Sequence, residues 1–494
     1  MKQRWILFFL LLAFPTAAFA QNQEATQGNF FATLNAFFEQ LVEWLSNVLF
    51  FKIGNIPFII IWLIGGALFF TIRMSFINIR AFKHAIFVVL GHYDDPEEEG
   101  ELTHFQALSA ALSATVGLGN IAGVAIAISI GGPGAVLWMT LAGLFGMSSK
   151  FVECTLAQKY RVVKPDGHIS GGPMYYLSRG LADRGLRPFG KVLAVVFSIL
   201  CIGASFGGGN MFQANQSYAA VANIIPIPNW AYGLFVAILV GLVILGGIQR
   251  IGSVAAALVP SMCLIYVIAA LWILLTNIGQ IPTAFGTIVQ GAISPEAVEG
   301  GLVGVLVQGV RRAAFSNEAG IGSAPIAHAA ARTHEPVREG IVALLEPFID
   351  TVVICNMTAL VVVITGAYQQ ADLSGVEMTS AAFETAIGWF PIVLSIAVFL
   401  FAFSTMISWS YYGERAWTFL FGEESMSVYR VLFVVCVFLG AIFNLGAVLD
   451  FADIMLLSMA FPNILGAVLL SDRVAADTQD YMQRLSSGVM PVYK

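Results

Sequence analysis

Val116-Gly117-Leu118-Gly119-Asn120 places two glycines halfway along an apolar segment, 104–130, that is otherwise long enough to cross a bilayer. A transmembrane helix should not break there. Backbone N–H and C=O groups left unpaired in hydrocarbon are costly, so such a break is tolerated only where a ligand, an ion, water or other protein groups take up the freed bonds. The same device recurs at Gly320-Ile321-Gly322-Ser323, inside the apolar segment 303–330. Two broken helices at matching positions of two halves point to a carrier's binding site.

The composition agrees. A chain of 494 residues that is 58% hydrophobic and only 11% charged, with a mean hydropathy of +0.81, is no water-soluble domain, whose charged share would be about a quarter. Continuous apolar runs of about twenty residues, without the alternation of an outer-membrane barrel, give an all-α polytopic membrane protein of about 11 transmembrane helices. The expected spans are 55–77, 104–130, 134–160, 190–221, 232–248, 254–276, 303–330, 340–365, 382–412, 429–448 and 451–470. All five cysteines fall in apolar segments, with no CxxC spacing and no histidine nearby, and read as small packing residues.

The expected organisation is a signal peptide at 1–20, a periplasmic amphipathic segment at 21–54, a transmembrane domain at 55–470 and a cytoplasmic tail at 471–494. Lys2 and Arg4, the apolar run from Trp5 to Phe14 and Ala18-Phe19-Ala20 before Gln21 form the leader, with an uncleaved anchor helix as the alternative. Residues 29–51 set Phe, Leu and Trp against Glu39, Glu43 and Asn47 at helical spacing, the pattern of an interfacial helix.

Connections that carry Lys and Arg alternate with connections that lack them. Arg80 and Lys83, the stretch from Arg161 to Lys191, Arg250, Arg332 and Arg338, Arg415 and Arg430, and the tail with Arg473, Arg484 and Lys494 fall on one side, which the positive-inside rule makes cytoplasmic. The mature N-terminus is then outside, as an export leader also demands, and a bacterial inner membrane is the expected location. Setting aside the first span, ten helices remain, and the two Gly-broken ones are the first and sixth. Repeats of five insert with opposite orientations, so the pattern is a 5+5 inverted repeat preceded by one extra helix, with both breaks near the midplane.

Several stretches resemble the alanine or glycine:cation symporter family. They are Phe105-Gln106-Ala107-Leu108, Ala114 through Gly123, Gly131-Gly132-Pro133-Gly134-Ala135, Gly171-Gly172-Pro173-Met174-Tyr175, Phe315-Ser316-Asn317-Glu318-Ala319-Gly320 and Trp409-Ser410-Tyr411-Tyr412-Gly413-Glu414, in order between about 55 and 470. The resemblance implies a leucine-transporter-type fold, a small neutral amino acid such as alanine or glycine as substrate, and a sodium ion as coupling ion.

A zwitterion at the membrane centre needs both its charges re-paired. The half-helix that starts near Asn120 presents free N–H groups and a partial positive charge, so the amides of Leu118 and Gly119 are the expected carboxylate site. Gln213 matches a family glutamine that contacts substrate, and its side-chain carbonyl suits the ammonium; its plain alternative is an interhelical tie. Carbonyls from Phe315 to Gly320 would add acceptors, with Phe315 and Ile321 walling a methyl-sized cavity. Sodium takes five or six oxygens, for which the resemblance implies Ser404 and Thr405 with the carbonyls of Ser113, Val116 and Phe401.

Glu153, Glu318, Glu346 and Asp350 are carboxyls inside spans, where such groups are functional by default. Glu318 reads as a structural ion pair with Arg311 and Arg312, and Asp350 stays unassigned between a gate and proton coupling. An enzyme is disfavoured: Gly203-Ala204-Ser205-Phe206-Gly207 matches a nucleophile motif but lies within an apolar helix rather than at a strand-to-helix turn. A channel would show repeated filter motifs or subunit rings. A proton-coupled carrier of the same fold is the runner-up. No nucleic-acid partner is expected.

Overall fold

The computed structural model describes residues 30–95, 97–165, 167–293, 301–370, 372–386 and 388–493. The leader expected at 1–20 lies outside them. Helices dominate the described chain, with two short hairpins: Lys52–Ile53 pairs with Ile56–Pro57, and Val162–Val163 with Ile169–Ser170.

Among the described residues six helices are long and apolar enough to cross a membrane: Ala135–Lys159, Arg187–Ala222, Gly247–Thr276, Pro336–Ile364, Phe390–Phe421 and Leu445–Ser486. The bent pair of His104–Thr115 with Gly119–Gly131 makes a seventh. The remaining expected spans correspond to the shorter helices Phe58–Arg73, Asn229–Ile244, Gly301–Asn317 and Met426–Gly440. At a rise of 1.5 Å per residue these reach only about 22–26 Å of the roughly 30 Å hydrocarbon thickness. Leu242, Leu264, Trp272, Leu275, Ile396 and Val431 stay exposed on the helix faces. Large apolar side chains in that setting belong against lipid. The chain is a multi-pass membrane protein.

Two packed groups meet at the first core helix. In one, Ala135–Lys159 packs against Pro336–Ala343, Gly301–Asn317 and Phe58–Arg73; in the other, Arg187–Phe206 packs against Phe390–Phe421 and Leu445–Ser458. His104–Thr115 touches Phe390–Phe421 of the second group, Pro336–Ala343 of the first, and Gly247–Thr276, which itself packs on Phe390–Phe421. Small residues permit the approach, since lipid supplies no hydrophobic drive between helices. A Cβ at Gly143 would sit 2.9 Å from Thr351 Cγ2, and one at Gly309 would press on the Ala135 carbonyl at 2.5 Å.

Helix Phe30–Leu49 matches the amphipathic pattern. It buries Phe38 and Val42 and leaves Trp44 exposed. Phe38 stacks on Phe443 at 4.8 Å and meets Phe451 edge-on at 5.4 Å, seating this helix on the last two core helices. Two further helices, Ile281–Ile293 and Gly375–Ala386, lie where the sequence reading placed connections, the second running into the start of the span expected at 382–412, whose long helix begins at Phe390. The second lies over the first break. Thr379 Oγ1 donates to the Ile121 carbonyl at 3.0 Å, and Val376 N–H donates to Gln216 Oε1 at 3.2 Å.

Candidate functional site

The first half-helix, His104–Thr115, starts with a capping box: Gln106 N–H donates to Thr103 Oγ1 at 3.2 Å, and Thr103 N–H to Gln106 Oε1 at 3.0 Å. It ends at Val116, whose ψ of 84° leaves the helical region. The chain resumes as a π-helical turn, Gly119–Gly123, and the helix Val124–Gly131, with a bend of 51°. Side chains take up the freed donors: Gly117 N–H bonds Asn120 Oδ1 at 2.9 Å and Leu118 N–H bonds Gln213 Oε1 at 3.2 Å. No Cβ fits at Gly117, where it would overlap Thr405 Oγ1, and one at Gly119 would lie 3.1 Å from Ser316 Cα.

The second break has a different cause. Gly301–Asn317 ends where Glu318, Gly320 and Gly322 adopt φ of 56°, 85° and 90°, and helix resumes at Pro325–His328. Left-handed backbone is routine for glycine and strained for glutamate. Asn463 Nδ2 holds the Gly320 carbonyl at 2.8 Å, and Ala319 N–H bonds Asn317 Oδ1 at 2.9 Å.

Asp350 ties the breaks together. Fully buried on the π-helical stretch Phe348–Cys355, its carboxylate accepts from Asn120 Nδ2 at 2.6 Å, Ser316 Oγ at 2.9 Å and Thr351 Oγ1 at 2.7 Å. A third π-helical turn, Gly207–Met211, precedes Gln213, whose Nε2 donates to the Gly208 carbonyl at 2.9 Å. Such turns cluster at functional positions because they displace a side chain without ending the helix.

Between the breaks lies a small cavity lined by buried residues. Of the residues expected to hold substrate, Gly119, Gln213 and Phe315 line it, and Leu118 joins through its bond to Gln213. Gly320 and Ile321 do not line it. The left-handed turn carries them away, so that a Cβ at Gly320 would face Leu63 and Ile464 at 3.2 and 3.3 Å.

Of the expected sodium ligands, Thr405 lines the cavity, and its buried Oγ1 has no hydrogen-bond partner. An orphaned buried oxygen beside a helix break fits a cation. Ser113 Oγ donates to the Ser404 carbonyl at 2.8 Å, and Ser404 Oγ is back-bonded to the Phe401 carbonyl at 2.9 Å. Val116 sits directly before the break.

The pairing expected for Glu318 is wrong. Arg312 and Arg311 both pair with Asp453, Arg311 at 2.7 Å, while Glu318 lines the cavity, with Ser323 Oγ on one oxygen and Trp409 Nε1 on the other at 2.9 Å. Positive φ at Glu318 turns its side chain off the helix face that carries the arginines. Glu318 and Trp409 are thus lining residues that the sequence did not assign to substrate; a carboxyl within a span and the tryptophan heading Trp409-Ser410-Tyr411-Tyr412 were the available signals.

The family model described as the sodium:alanine symporter family matches residues 35–494. The chain belongs to that family. It is 42% identical over 429 residues to the sodium/alanine symporter AgcS of Methanococcus maripaludis, covering 86% of this chain and 94% of that relative. To the amino-acid carrier protein AlsT of Bacillus subtilis it is 38% identical over 451 residues, 89% of this chain and 94% of the relative. Among solved structures, MhsT in complex with L-phenylalanine superposes with a TM-score of 0.51 at 15% identity, covering 75% of this chain and 88% of that one. That likeness establishes the leucine-transporter-type fold. Family membership makes the chain a transporter of the amino-acid and cation symport class.

Proposed function

We propose that this protein takes up small neutral amino acids, alanine or glycine, together with sodium by alternating access. One observation supports this above the others: both helix breaks and the orphaned Thr405 hydroxyl border a single cavity. A zwitterion there would exchange the bond between Leu118 N–H and Gln213 Oε1 for its own, its carboxylate taking the amides of Leu118 and Gly119 and its ammonium taking Gln213 and the carbonyls freed near Phe315. Sodium at Thr405 and Ser404, with the carbonyls of Ser113, Val116 and Phe401, would fix the first half-helix in the geometry that presents those amides. Cation and substrate thereby raise each other's affinity. Gly320 and Ile321 act through the shape of the second break.

The proposed setting is a bacterial inner membrane, with helix Phe30–Leu49 periplasmic, the C-terminal tail cytoplasmic and a leader at 1–20. Purified protein in liposomes tests the reading. Alanine uptake should require an inward sodium gradient, and uptake indifferent to sodium but driven by a pH gradient would replace sodium with the proton.

A further inference from the structure

A second buried polar cluster lies apart from the cavity. His104, at the start of the first core helix, and His328, at the end of the helix after the second break, both turn Nδ1 onto Glu339, one to each carboxylate oxygen, His328 at 2.5 Å. None of the three is more than 1% exposed. The chain of contacts continues from His328 Nε2 to Glu346 Oε2 at 3.7 Å and from Glu346 Oε1 to Lys150 Nζ at 3.0 Å. At the other end His104 Nε2 stands 3.8 Å from Asp94 Oδ1, whose side chain is 39% exposed.

Lys150 pairs with Glu346, while Glu339 is met by the two imidazoles. A buried carboxylate persists only where hydrogen-bonding or cationic groups compensate it. Each Nδ1 faces a carboxylate and therefore carries hydrogen, which leaves the two Nε2 atoms as the positions where either ring can take a further proton. Both are buried, without a hydrogen-bond partner, and each faces a carboxylate oxygen just beyond bonding range. Other charged groups surround the cluster: Arg161, hydrogen-bonded to the carbonyls of Glu99, Ala329, Ala331 and Thr333, keeps its positive charge and is felt at Glu339, Arg338 faces Glu98 and the Tyr93 ring, and Glu153 and Glu318 lie near Lys150.

We propose that His104, Glu339 and His328 form a proton-binding site, filled from the cytoplasmic face past Asp94, which when occupied clamps together the inner ends of core helices 1, 6 and 7. Filling it transfers one proton from water to an imidazole Nε2, forms one N–H bond and sets an imidazolium against the Glu339 carboxylate. Emptying it leaves Glu339 held by neutral rings in place of an imidazolium and loosens three helix ends that the transport cycle must separate. The transport readout rests on the symport reading; the protonation readout does not.

Sodium-driven alanine uptake is measured in liposomes while the pH on the cytoplasmic face alone is varied between about 6 and about 9. The rate should follow a one-proton curve with a total change of about tenfold, and His104→Gln and His328→Gln should each flatten it to within about twofold. Unchanged curves in both variants overturn the proposal. Nitrogen NMR of histidine-labelled wild-type protein without alanine supplies the second arm, independent of transport and of variant folding. One ionisation shared by the two rings, shifted by Asp94→Asn, supports the site; two rings that both stay neutral throughout overturn it. Absence of alanine uptake in the wild type would sink the symport reading alone.

Discussion

The two helix breaks do the same job by opposite means. At Gly117 the backbone stays within ordinary φ, and glycine is required because Thr405 and Gln213 crowd the position a Cβ would take. At Gly320 and Gly322 the φ values are left-handed, and glycine is required by the backbone itself. The first break needs glycine for the space its neighbours leave and the second for its own backbone, although Asn463 also holds the Gly320 carbonyl. A ligand settling on Thr405 and Gln213 should therefore be felt more at the first break than at the second.

The largest test severs the link between them. Asp350→Ala strips Asn120 and Ser316 of a charged acceptor, bonds worth about 1.5–3 kcal/mol each, and should lower transport by about a hundredfold or more while the protein still reaches the membrane. Near-normal uptake would mean that the breaks work independently. Next comes Gly117→Ala, whose overpacking costs about 1–3 kcal/mol and should cut uptake at least tenfold. Adding Thr405→Ala should relieve the crowding yet leave the sodium requirement raised; full recovery of both would remove Thr405 from the ion site.

Gly320→Ala should act differently. Its cost is backbone strain of about 1–2 kcal/mol, read as a lower melting temperature with substrate affinity nearly unchanged, because Leu63 and Ile464 can give way. Altered sodium affinity in that variant would erase the distinction between the two breaks.

The smallest effect should come from His84, far in function from both breaks. Burial, aided by the Arg338 charge, lowers its pKa to about 4, and it bonds Tyr481 Oη at 2.8 Å. A histidine kept neutral by folding contributes nothing above its unfolded value and destabilises increasingly as pH falls from about 6.5 toward 4. His84→Gln should therefore blunt acid unfolding slightly and leave the contrast between the two glycines intact, checked by melting curves at two pH values.

Both breaks were legible in the sequence because an unbroken membrane helix gains nothing from closely spaced glycines in the middle of its apolar run. Phe315 stands in a family motif and Gln213 and Thr405 were named through the resemblance; all three line the cavity. The direction of Glu318 was not, since helical periodicity places it beside Arg311 and Arg312, and only the left-handed turn sends it to the cavity instead. The same turn withdrew Gly320 and Ile321. Helix Gly375–Ala386 was hidden because its mixed composition reads as a loop until it packs on Ile121 and Gln216. The cluster of His104, His328 and Glu339 was invisible because 235 residues separate His104 from Glu339, and no local pattern announces a contact at that distance.

Helix Gly375–Ala386 carries a kinetic consequence. Any solute approaching the first break from its side meets a cover seated by the buried Val376, Met378 and Phe383 and pinned by two hydrogen bonds, one from Thr379 and one to Gln216. Each such bond is worth only about 0.5–1.5 kcal/mol net, so these fastenings by themselves yield to thermal motion. The buried side chains hold the rest, so a solute must displace packing as well as polar contacts to reach the break from this side.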